Sequence, residues 1–380
     1  MGESQSENRA SSDPDRAPRG PWLVRAAGAL AVLVLIFVGA EGAVRVEDRV
    51  HWGMPLFSPD TAVGDLLVSD QLGMHPIPGA TFRKWHINSL GTRGPEPVTS
   101  RSDQRVLTLG ASETMGLYES ADREYARQLA DSLDANHCAG DVLNAGFVGM
   151  SLPTVEQDFR LRLATLHPRV AVYYPTPPQY LDDRLPRAVH LDSSGTSRPP
   201  THGFHSRFLP RLRDQVKSLV PRFVLDRMRR SEIAGNRSDI PTDSIFATVP
   251  PERLAAFDHD LRRLVGSVRA AGTTPILVTH ANAFTGAPPA AGDRLNAWVK
   301  FYPRATGATL VAFDSAAAIV TRQVAADSGV ALVDAWQHFH GVRSDSMFAD
   351  FSHFTDHGSA DMASLLEPAV ASALHCGGTR

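Results

Sequence analysis

From Arg105 onward, short apolar runs alternate with longer segments of helical spacing, and this alternation constrains the fold more than any other feature of the chain. Short apolar runs bounded by turn signals are typical of strands buried on both faces. Strands that alternate with helices predict, over residues 105–376, a parallel sheet with helices on both faces. The expected strands are 106–109, 141–143, 170–174, 274–279 and 330–333, and the expected helices are 125–133, 154–166, 251–271, 310–326 and 359–374.

Length, charge and residue spacing set broad bounds on domain number and ligands. A chain of 380 residues can hold one large domain or two small ones. The composition is that of a globular protein, and the net charge of -3 gives no indication of nucleic-acid binding. No His or Cys spacing is typical of a zinc site and there is no glycine-rich phosphate loop, so the sequence predicts neither a metal nor a cofactor.

The N-terminus divides into a polar tail and an apolar run. Residues 1–20 are rich in Ser, Asp, Glu, Arg and Pro, and we expect them to be disordered. An uncharged run from Ala26 to Ala40 follows, and with its flanks, over 21–45, it reaches the length of about 20 residues that a spanning helix needs. Because arginines precede the run, we expect the N-terminus in the cytoplasm and the rest of the chain outside. These arginines are Arg9, Arg16, Arg19 and Arg25, the last of which extends to the interface.

Two other interpretations of the apolar run remain open. Val38-Gly39-Ala40 has the small residues of a cleavage site, so the run is also consistent with a signal peptide and a secreted domain. A buried helix of a soluble domain is the third interpretation. We predict a single-pass protein of the cytoplasmic membrane, with secretion after cleavage as the alternative.

Two regions flank or interrupt the α/β pattern. Residues 46–104 carry many turn signals and little regular pattern, which predicts an irregular leader packed on the domain. An insertion over 182–250 is rich in Pro, Ser, Gly and Arg. Within it, 208–230 has loosely helical spacing and suits either a lid or membrane-surface helix, or a solvated segment packed on the domain. Pro210 and Pro221 break any long helix there, which favours the second interpretation.

Two motifs place chemically active residues directly after predicted strands. Ser112 follows the strand 106–109 and Gly110, and Asp350 precedes His353 by three residues ahead of the last helix. Residues beyond the C-terminal ends of parallel strands share one edge of the sheet, so these side chains can converge there. A serine hydroxyl needs a base, a histidine can take and return its proton, and an aspartate can hold the imidazole in the required tautomer.

With these motifs the chain resembles the SGNH/GDSL hydrolases, a family of acyl-ester hydrolases, over roughly 104–181 and 270–372. Gly110-Ala111-Ser112 is similar to the first family block, with Ala111 where aspartate is usual. Asn144-Ala145-Gly146 resembles the second block and the segment from Asp350 to His353 the last. The third block of the family carries an asparagine after a strand, and here Pro177 stands about where it belongs.

The resemblance implies a flavodoxin-like three-layer α/β sandwich around a parallel sheet, and a serine mechanism without a cofactor. It assigns the nucleophile to Ser112, the base to His353 and the orienting carboxylate to Asp350. The segment 86–94 is similar to a leader of membrane-anchored relatives, with a plain packed loop as the alternative. The expected substrate is an acyl ester on a cell-surface carbohydrate or lipid, and the sequence indicates no particular protein partner.

A tetrahedral intermediate needs hydrogen-bond donors, and the sequence offers three candidates for this oxyanion hole. Two are the backbone N–H groups of Ser112 and Gly146, where a glycine permits close approach and unusual φ. Because the family asparagine is missing at Pro177, Thr176 or Gln179 is the expected replacement.

Other polar residues near the expected sheet edge are candidates for substrate binding. Gln179 follows the third strand, and His280 and Asn282 follow the fourth. The two latter residues either line the pocket or have a structural role, and the sequence leaves both interpretations open.

The two cysteines, Cys138 and Cys376, are placed to form a disulfide if the fold is flavodoxin-like. In that fold the first and last helices lie side by side and run in the same direction, and each cysteine follows one of them. Exported proteins favour such bridges. Two unrelated buried thiols are the alternative.

Two classes of function follow from the sequence. The first is an exported, membrane-anchored serine esterase that cleaves or transfers an acyl group. The second is a non-catalytic or acyl-transferring domain of the same fold that binds a surface glycan. Ser112, Asp350 and His353 favour the first class, and Pro177 favours the second.

Overall fold

The computed structural model describes residues 20–58, 60, 62–138, 140–182, 205–220, 240–241, 244–285, 292–342 and 344–376, with the isolated positions 224, 227, 231 and 235. The expectations for the polar tail and for most of the 182–250 insertion lie outside these described residues.

Helices and strands alternate along the domain, as the sequence predicts. The strands are β1 (Leu67–Asp70), β2 (Gly73–Pro76), β3 (Thr81–Phe82), β4 (Trp85–His86), β5 (Arg105–Gly110), β6 (Asp141–Asn144), β7 (Val170–Tyr174), β8 (Thr274–Val278) and β9 (Ala331–Val333). The helices are α1 (Gly20–Trp52), α2 (Ser112–Met115), α3 (Tyr125–Ala135), α4 (Leu152–Leu161), α5 (Phe208–Ser218), α6 (Pro251–Ala270), α7 (Asp293–Phe301), α8 (Gly307–Ser328), α9 (Ala335–His338), α10 (Ser344–Met347) and α11 (Asp356–Ala373).

Five of these strands form one parallel sheet in the order β6-β5-β7-β8-β9. Leu107 of the central strand β5 pairs with Leu143 of β6 on one side and with Ala171 of β7 on the other. The first strand of the sheet therefore has the second and third as neighbours, which is the flavodoxin-like order. This order confirms the predicted fold class and directs the C-terminal ends of all five strands to one edge.

Alternate side chains of the strands enter two separate cores, which explains the continuous apolar runs within them. Val106 of β5 packs with Leu129 of α3 and Leu366 of α11. Its neighbour Leu107 points to the opposite face and belongs to a core with Phe159 of α4. Helices α4, α6 and α8 cover that second face. The result is a three-layer sandwich.

The segment before the sheet is more regular than the sequence indicates. Helix α1 runs over 33 residues to Trp52, beyond the span expected over 21–45, and is long and apolar enough to cross a membrane. Residues 46–104, expected to be irregular, contain two hairpins, β1–β2 and β3–β4. After them, the N–H of Arg93 donates to the carbonyl of Asn144 at 2.8 Å, which joins the leader to the end of β6.

The first and last helices of the domain are linked covalently. Helices α3 and α11 pack side by side, and Cys138 and Cys376 follow their C-terminal ends. The two cysteines form a disulfide with their Cα atoms 5.4 Å apart. The predicted disulfide is therefore confirmed.

The helix expected over 154–166 is interrupted. It begins earlier, as α4 at Leu152, and leaves helical geometry at Arg162 before a short 3-10 turn, Leu163–Leu166. The Arg162 guanidinium is engaged by Asp158 within α4 and by the carbonyl of Leu90 in the leader. The break therefore lies where the helix meets a distant segment.

Candidate active site

Ser112 opens the short helix α2 at the C-terminal end of the central strand β5. The turn between them depends on Gly110, because a Cβ at that position would lie 2.7 Å from the carbonyl oxygen of Tyr174 on the neighbouring strand. Only glycine allows so close an approach of two backbones. The turn presents Ser112 at the edge of the sheet with its side chain partly exposed.

Asp350 and His353 lie in a tight turn before α11 that positions the carboxylate and the imidazole together. Oδ1 of Asp350 accepts hydrogen bonds from the backbone N–H groups of Ser352 and His353, both at 2.9 Å. The same carboxylate contacts Nδ1 of His353 at 3.0 and 2.9 Å through its two oxygens. Because all these contacts are local, the motif orients its own imidazole.

The structure brings Ser112 and His353 together across 241 residues of sequence. Nε2 of His353 lies 2.9 Å from Oγ of Ser112. Since Nδ1 faces the Asp350 carboxylate, Nδ1 carries the proton of the neutral imidazole and Nε2 is free to accept the serine proton. The three side chains form one hydrogen-bonded chain from hydroxyl to carboxylate.

The surroundings of this chain determine its charge states. Burial acts to lower the pKa of His353, but its hydrogen bond to Asp350 and the charges of Glu113, Asp350 and Glu119 outweigh burial and raise it. Burial acts to raise the pKa of Asp350, but its bonds to His353 and to backbone N–H groups lower it overall. Asp350 is therefore ionised at neutral pH and favours a protonated His353.

Glu113 adds a second carboxylate beside the hydroxyl, and the sequence analysis did not single it out. It is 2% exposed. Its Oε2 accepts hydrogen bonds from Ser112 at 3.2 Å and from Thr176 at 2.9 Å, and its Oε1 accepts one from Ser352 at 2.9 Å. Burial acts to raise the pKa of Glu113, but the charges of nearby histidines outweigh burial and lower it. The sequence feature that could have identified Glu113 is a charged residue directly after Ser112, in the turn that follows a buried strand.

Tyr118 is a second residue that the sequence analysis missed. Its ring lies over His353 with the ring centroids 5.1 Å apart. Burial and the neighbouring Asp350 carboxylate, to which the phenol is hydrogen-bonded, raise the pKa of Tyr118. The ring is 55% exposed, so it shields the imidazole from one side while remaining at the protein surface.

A cavity of about 380 Å³ opens beside the Ser112 hydroxyl. Gln179, predicted to bind substrate, lines it, and its Nε2 donates to the carbonyl of Met150 at 2.9 Å. Phe301 contributes a ring that is 63% exposed, so the lining combines polar and aromatic groups. The lining residues are Ser112, Gly149, Thr176, Gln179, Asp182, Phe301 and Tyr302.

The predicted oxyanion donors differ in their availability. The N–H of Ser112 is at the first position of α2, where the helix itself offers no carbonyl. The N–H of Gly146 donates to the side chain of Asn144 at 3.1 Å, and the hydroxyl of Thr176 donates to Glu113. Two of the three candidates therefore have an acceptor within the protein already.

Gly146 is required for packing. A Cβ there would lie 2.5 Å from Cβ of Thr114 and 2.9 Å from the backbone nitrogen of Met115. Its φ is not in the left-handed region, so close approach to α2 alone explains the glycine, whereas the sequence analysis also invoked an unusual φ.

Pro177 begins a 3-10 turn, Pro177–Leu181, after β7. Proline has neither an N–H group nor a polar side chain, so this position offers no substitute for the asparagine that the resemblance implies. Thr176, directly before it, is the polar residue whose hydroxyl reaches the Glu113 carboxylate.

His280 and Asn282 belong to a buried cluster around Asp314 of α8. Nδ1 of His280 lies 2.5 Å from one Asp314 oxygen, and Nδ2 of Asn282 lies 2.6 Å from the other. All three side chains are almost fully buried. Burial acts to lower the pKa of His280, but the Asp314 carboxylate outweighs burial and raises it. Neither residue is among those that line the cavity beside Ser112.

In the part of the chain that the structure describes, no group of three or more His, Cys, Asp and Glu side chains is arranged to hold a metal ion.

The backbone of the chain is similar to those of several solved structures. No protein-family model matches the chain, and no curated protein sequence does. The backbone is similar to that of an acetyl xylan esterase, with a TM-score of 0.42 and 12% identity, over 70% of this chain and 99% of that one. A lipase/acylhydrolase from Enterococcus faecalis has a TM-score of 0.41 and 13% identity, over 71% and 96%. A GDSL-like lipase from Bacteroides thetaiotaomicron has a TM-score of 0.38 and 14% identity, over 74% and 93%.

Proposed function

We propose that the chain is a serine ester hydrolase in which Ser112, His353 and Asp350 act as a catalytic triad. The observation that carries the proposal is the 2.9 Å contact between Oγ of Ser112 and Nε2 of His353, whose Nδ1 is held by Asp350. This contact supplies the base that a serine hydroxyl lacks by itself. The adjoining cavity supports the proposal because it leaves room for an ester.

In the proposed reaction, Oγ of Ser112 attacks the ester carbonyl carbon while its proton moves to Nε2 of His353. The ionised Asp350 stabilises the imidazolium. When the tetrahedral intermediate collapses, the bond to the alcohol breaks, the alcohol leaves with the proton from Nε2, and the acyl group remains on Ser112. Water then attacks the acyl-serine in the same way and releases the acid.

The negative oxygen of the intermediate needs donors, and we propose the N–H of Ser112 as the first. The N–H of Gly146 and the hydroxyl of Thr176 join it when substrate binding turns them from their present acceptors, as catalytic hydrogen bonds often tighten only with substrate bound. A site that lacks one donor loses on the order of 10²–10³ in rate. A simple ester that leaves Gly146 and Thr176 on their present acceptors should therefore turn over slowly.

The lining of the cavity favours a substrate whose alcohol part is polar, such as an O-acylated carbohydrate or lipid headgroup of the cell surface. Gln179 and Asp182 can bond hydroxyl groups, and the rings of Phe301 and Tyr302 can pack on an apolar face. Transfer to a second hydroxyl uses the same chemistry, with an alcohol in place of water.

We propose that α1 holds the protein in the cytoplasmic membrane, with the N-terminus inside and the domain outside. The large apolar side chains of its N-terminal part are exposed in the structure. The helix continues past Ala40, where a signal peptide would be cleaved, to Trp52. The arginines before the run support the orientation.

A binding domain with little or no turnover is the second candidate function. It is favoured by the occupied donors at Gly146 and Thr176 and by Pro177. In this case the hydrogen bond from Ser112 to Glu113 would keep the hydroxyl turned from His353.

Replacing the nucleophile tests the proposal. Ser112→Ala should lower kcat/KM for p-nitrophenyl acetate by on the order of 10⁴-fold or more, because the triad acts as a unit. A fluorophosphonate probe should label the wild type and leave Ser112→Ala unlabelled. Ser364→Ala, which removes an exposed hydroxyl on α11, is the matched control and should keep both properties.

The outcomes separate the two candidate functions. Wild-type turnover that survives in Ser112→Ala would exclude Ser112 as the nucleophile. A wild type that neither turns over an ester nor reacts with the probe would support the binding domain instead.

A further inference from the structure

Helix α5, in the insertion, carries an exposed apolar stripe. Leu209, Leu212 and Val216 follow one another at spacings of three or four residues, which places them on one side of the helix, and Leu219 follows at the same spacing one residue beyond its end. They are 52, 44, 54 and 83% exposed, in that order. Contiguous apolar surface of this kind marks a site of interaction with a protein or a membrane.

The first turn of α5 is fastened to α1. Glu41 of α1 is 4% exposed and accepts hydrogen bonds from the N–H groups of Arg207 and Phe208, at 3.1 and 3.0 Å. It therefore caps the N-terminus of α5. Buried Arg207 lies 3.5 Å from the buried carboxylate of Asp48, and Arg211 pairs with the same carboxylate. These contacts hold the start of α5 beside the part of α1 that begins at Glu41.

Glu41 lies where we expect the outer boundary of the hydrocarbon core of the membrane. At 1.5 Å per residue, the segment from Trp22 to Ala40 rises about 27 Å. The hydrocarbon core of a bilayer is about 30 Å thick. With Trp22 at the inner boundary, Glu41 and the start of α5 lie at the outer boundary.

Two contacts of α5 relate its apolar stripe to the apolar run of α1. The ring of Phe208 packs against Phe37, inside the apolar run, with centroids 6.1 Å apart. Arg211 reaches Glu47 and Asp48, which lie further along α1 and away from the apolar run. At about 100° per residue, the apolar stripe adjoins the Phe208 side of the helix and is turned away from the Arg211 side. The stripe therefore lies closer to the side of α5 that contacts the apolar run than to the side that contacts Glu47 and Asp48.

We propose that α5 is an interfacial helix that lies on the outer lipid surface beside α1 and inserts its apolar stripe there. Arg213, on the flank of the stripe, is exposed and can contact anionic headgroups. Because Glu41 and Asp48 tie the two helices together, this second lipid contact limits the tilt of the domain on the membrane. The inference rests on the membrane location proposed for α1 and is independent of the ester chemistry.

Tryptophan fluorescence in vesicles tests the proposal with the full-length chain. Leu212→Trp places a tryptophan in the stripe, and Asp214→Trp, at a side chain that is 68% exposed, places one on the opposite side. Both are reconstituted in phosphatidylethanolamine and phosphatidylglycerol vesicles, with and without bromine on the acyl chains. The emission of the introduced tryptophan is obtained by subtracting the wild-type emission. Brominated lipid should quench most of this emission in Leu212→Trp and leave it nearly unchanged in Asp214→Trp. Val216→Trp, at the next turn of the stripe, should behave as Leu212→Trp does.

Alkaline carbonate extraction of the same vesicles separates the possible failures. If the chain resists extraction and the stripe tryptophans are not quenched, α5 is not interfacial, although the α1 anchor stands. If carbonate releases the chain, the anchor and the interfacial helix are both refuted. Unquenched emission that shifts to the blue with protein concentration would show that a second copy covers the stripe, which also overturns the proposal. None of these measurements depends on ester hydrolysis, so they test the interfacial helix separately from the proposed function.

Discussion

At the scale of single residues, Glu113 couples the Ser112 hydroxyl to the charge of the proposed base, His353. A hydroxyl has one proton, and Ser112 has two acceptors for it, Nε2 of His353 at 2.9 Å and Oε2 of Glu113 at 3.2 Å. When His353 is protonated, Nε2 donates to Oγ, and the serine proton turns to Glu113. When His353 is neutral, Nε2 accepts that proton and the serine is activated. Activity should therefore rise with pH through the raised pKa of His353.

Glu113→Gln tests this coupling. The change removes one of the negative charges that raise the pKa of His353, the others being Asp350 and Glu119, so that pKa should fall. A base with a lower pKa stays neutral to lower pH, and the acid limb of kcat/KM against pH should move to lower pH. Glu367→Gln, an exposed carboxylate on α11, is the control and should leave the profile unchanged. An acid limb that stays in place in Glu113→Gln would mean that Glu113 does not act on the base.

At the scale of elements, the disulfide ties together the two helices that cover one face of the sheet. Cys138 ends the turn after α3, and Cys376 ends the turn after α11, the helix that follows the Asp350 and His353 turn. The bridge spans 238 residues, so it restricts most of the domain in the unfolded chain. Its effect should therefore appear in stability.

The double variant Cys138→Ser/Cys376→Ser should lower the free energy of unfolding by about 2–5 kcal/mol, since the unfolded chain gains freedom without the bridge. The measurement is the urea midpoint of the full chain in detergent, followed by circular dichroism. Wild type treated with dithiothreitol should unfold at the same urea concentration as the double variant. Equal midpoints for oxidised wild type and the double variant would show that the bridge adds no stability.

At the scale of the whole molecule, α1 joins the proposed membrane span to the domain in one continuous helix. Its apolar side chains are exposed up to the level of α5, and its later part carries the charged residues that hold Arg207 and Arg211. The domain is therefore connected to the anchor through side-chain contacts as well as through the chain itself.

Matched arginine substitutions along α1 test the proposed anchor. Val34→Arg places a charge in the middle of the apolar run, at a side chain that is 51% exposed, and a charge at the centre of a bilayer costs about 2.5–3.5 kcal/mol. A smaller fraction of Val34→Arg than of wild type should resist alkaline carbonate extraction from membranes. Val50→Arg, at a side chain 76% exposed beyond the proposed outer boundary, should be retained as the wild type is. Equal retention of both variants would argue against a membrane position for the run.

The sequence by itself determined the strands of the sheet and one half of the candidate site. A strand buried on both faces is apolar at every position, as β7 is, so its pattern is visible without its neighbours. The turn from Asp350 to His353 is likewise a local matter, because every contact within it spans three residues or fewer. The helices of the sandwich are likewise visible from their own apolar spacing, apart from the break at Arg162, whose guanidinium bonds the carbonyl of Leu90 in a distant segment.

Only the tertiary structure decided which loops meet. Ser112 reaches His353, and Glu113 reaches Ser352, because the order of strands places two distant loops at one edge of the sheet. The hairpins of the leader and the contacts between α1 and α5 were equally invisible in the sequence. Short, partly polar strands such as β1 carry no clear period. The pairing of Arg207 with Asp48 joins residues that are 159 positions apart. Burial of a strand is a property of its own side chains, whereas a hydrogen bond between distant loops depends on how the whole chain packs.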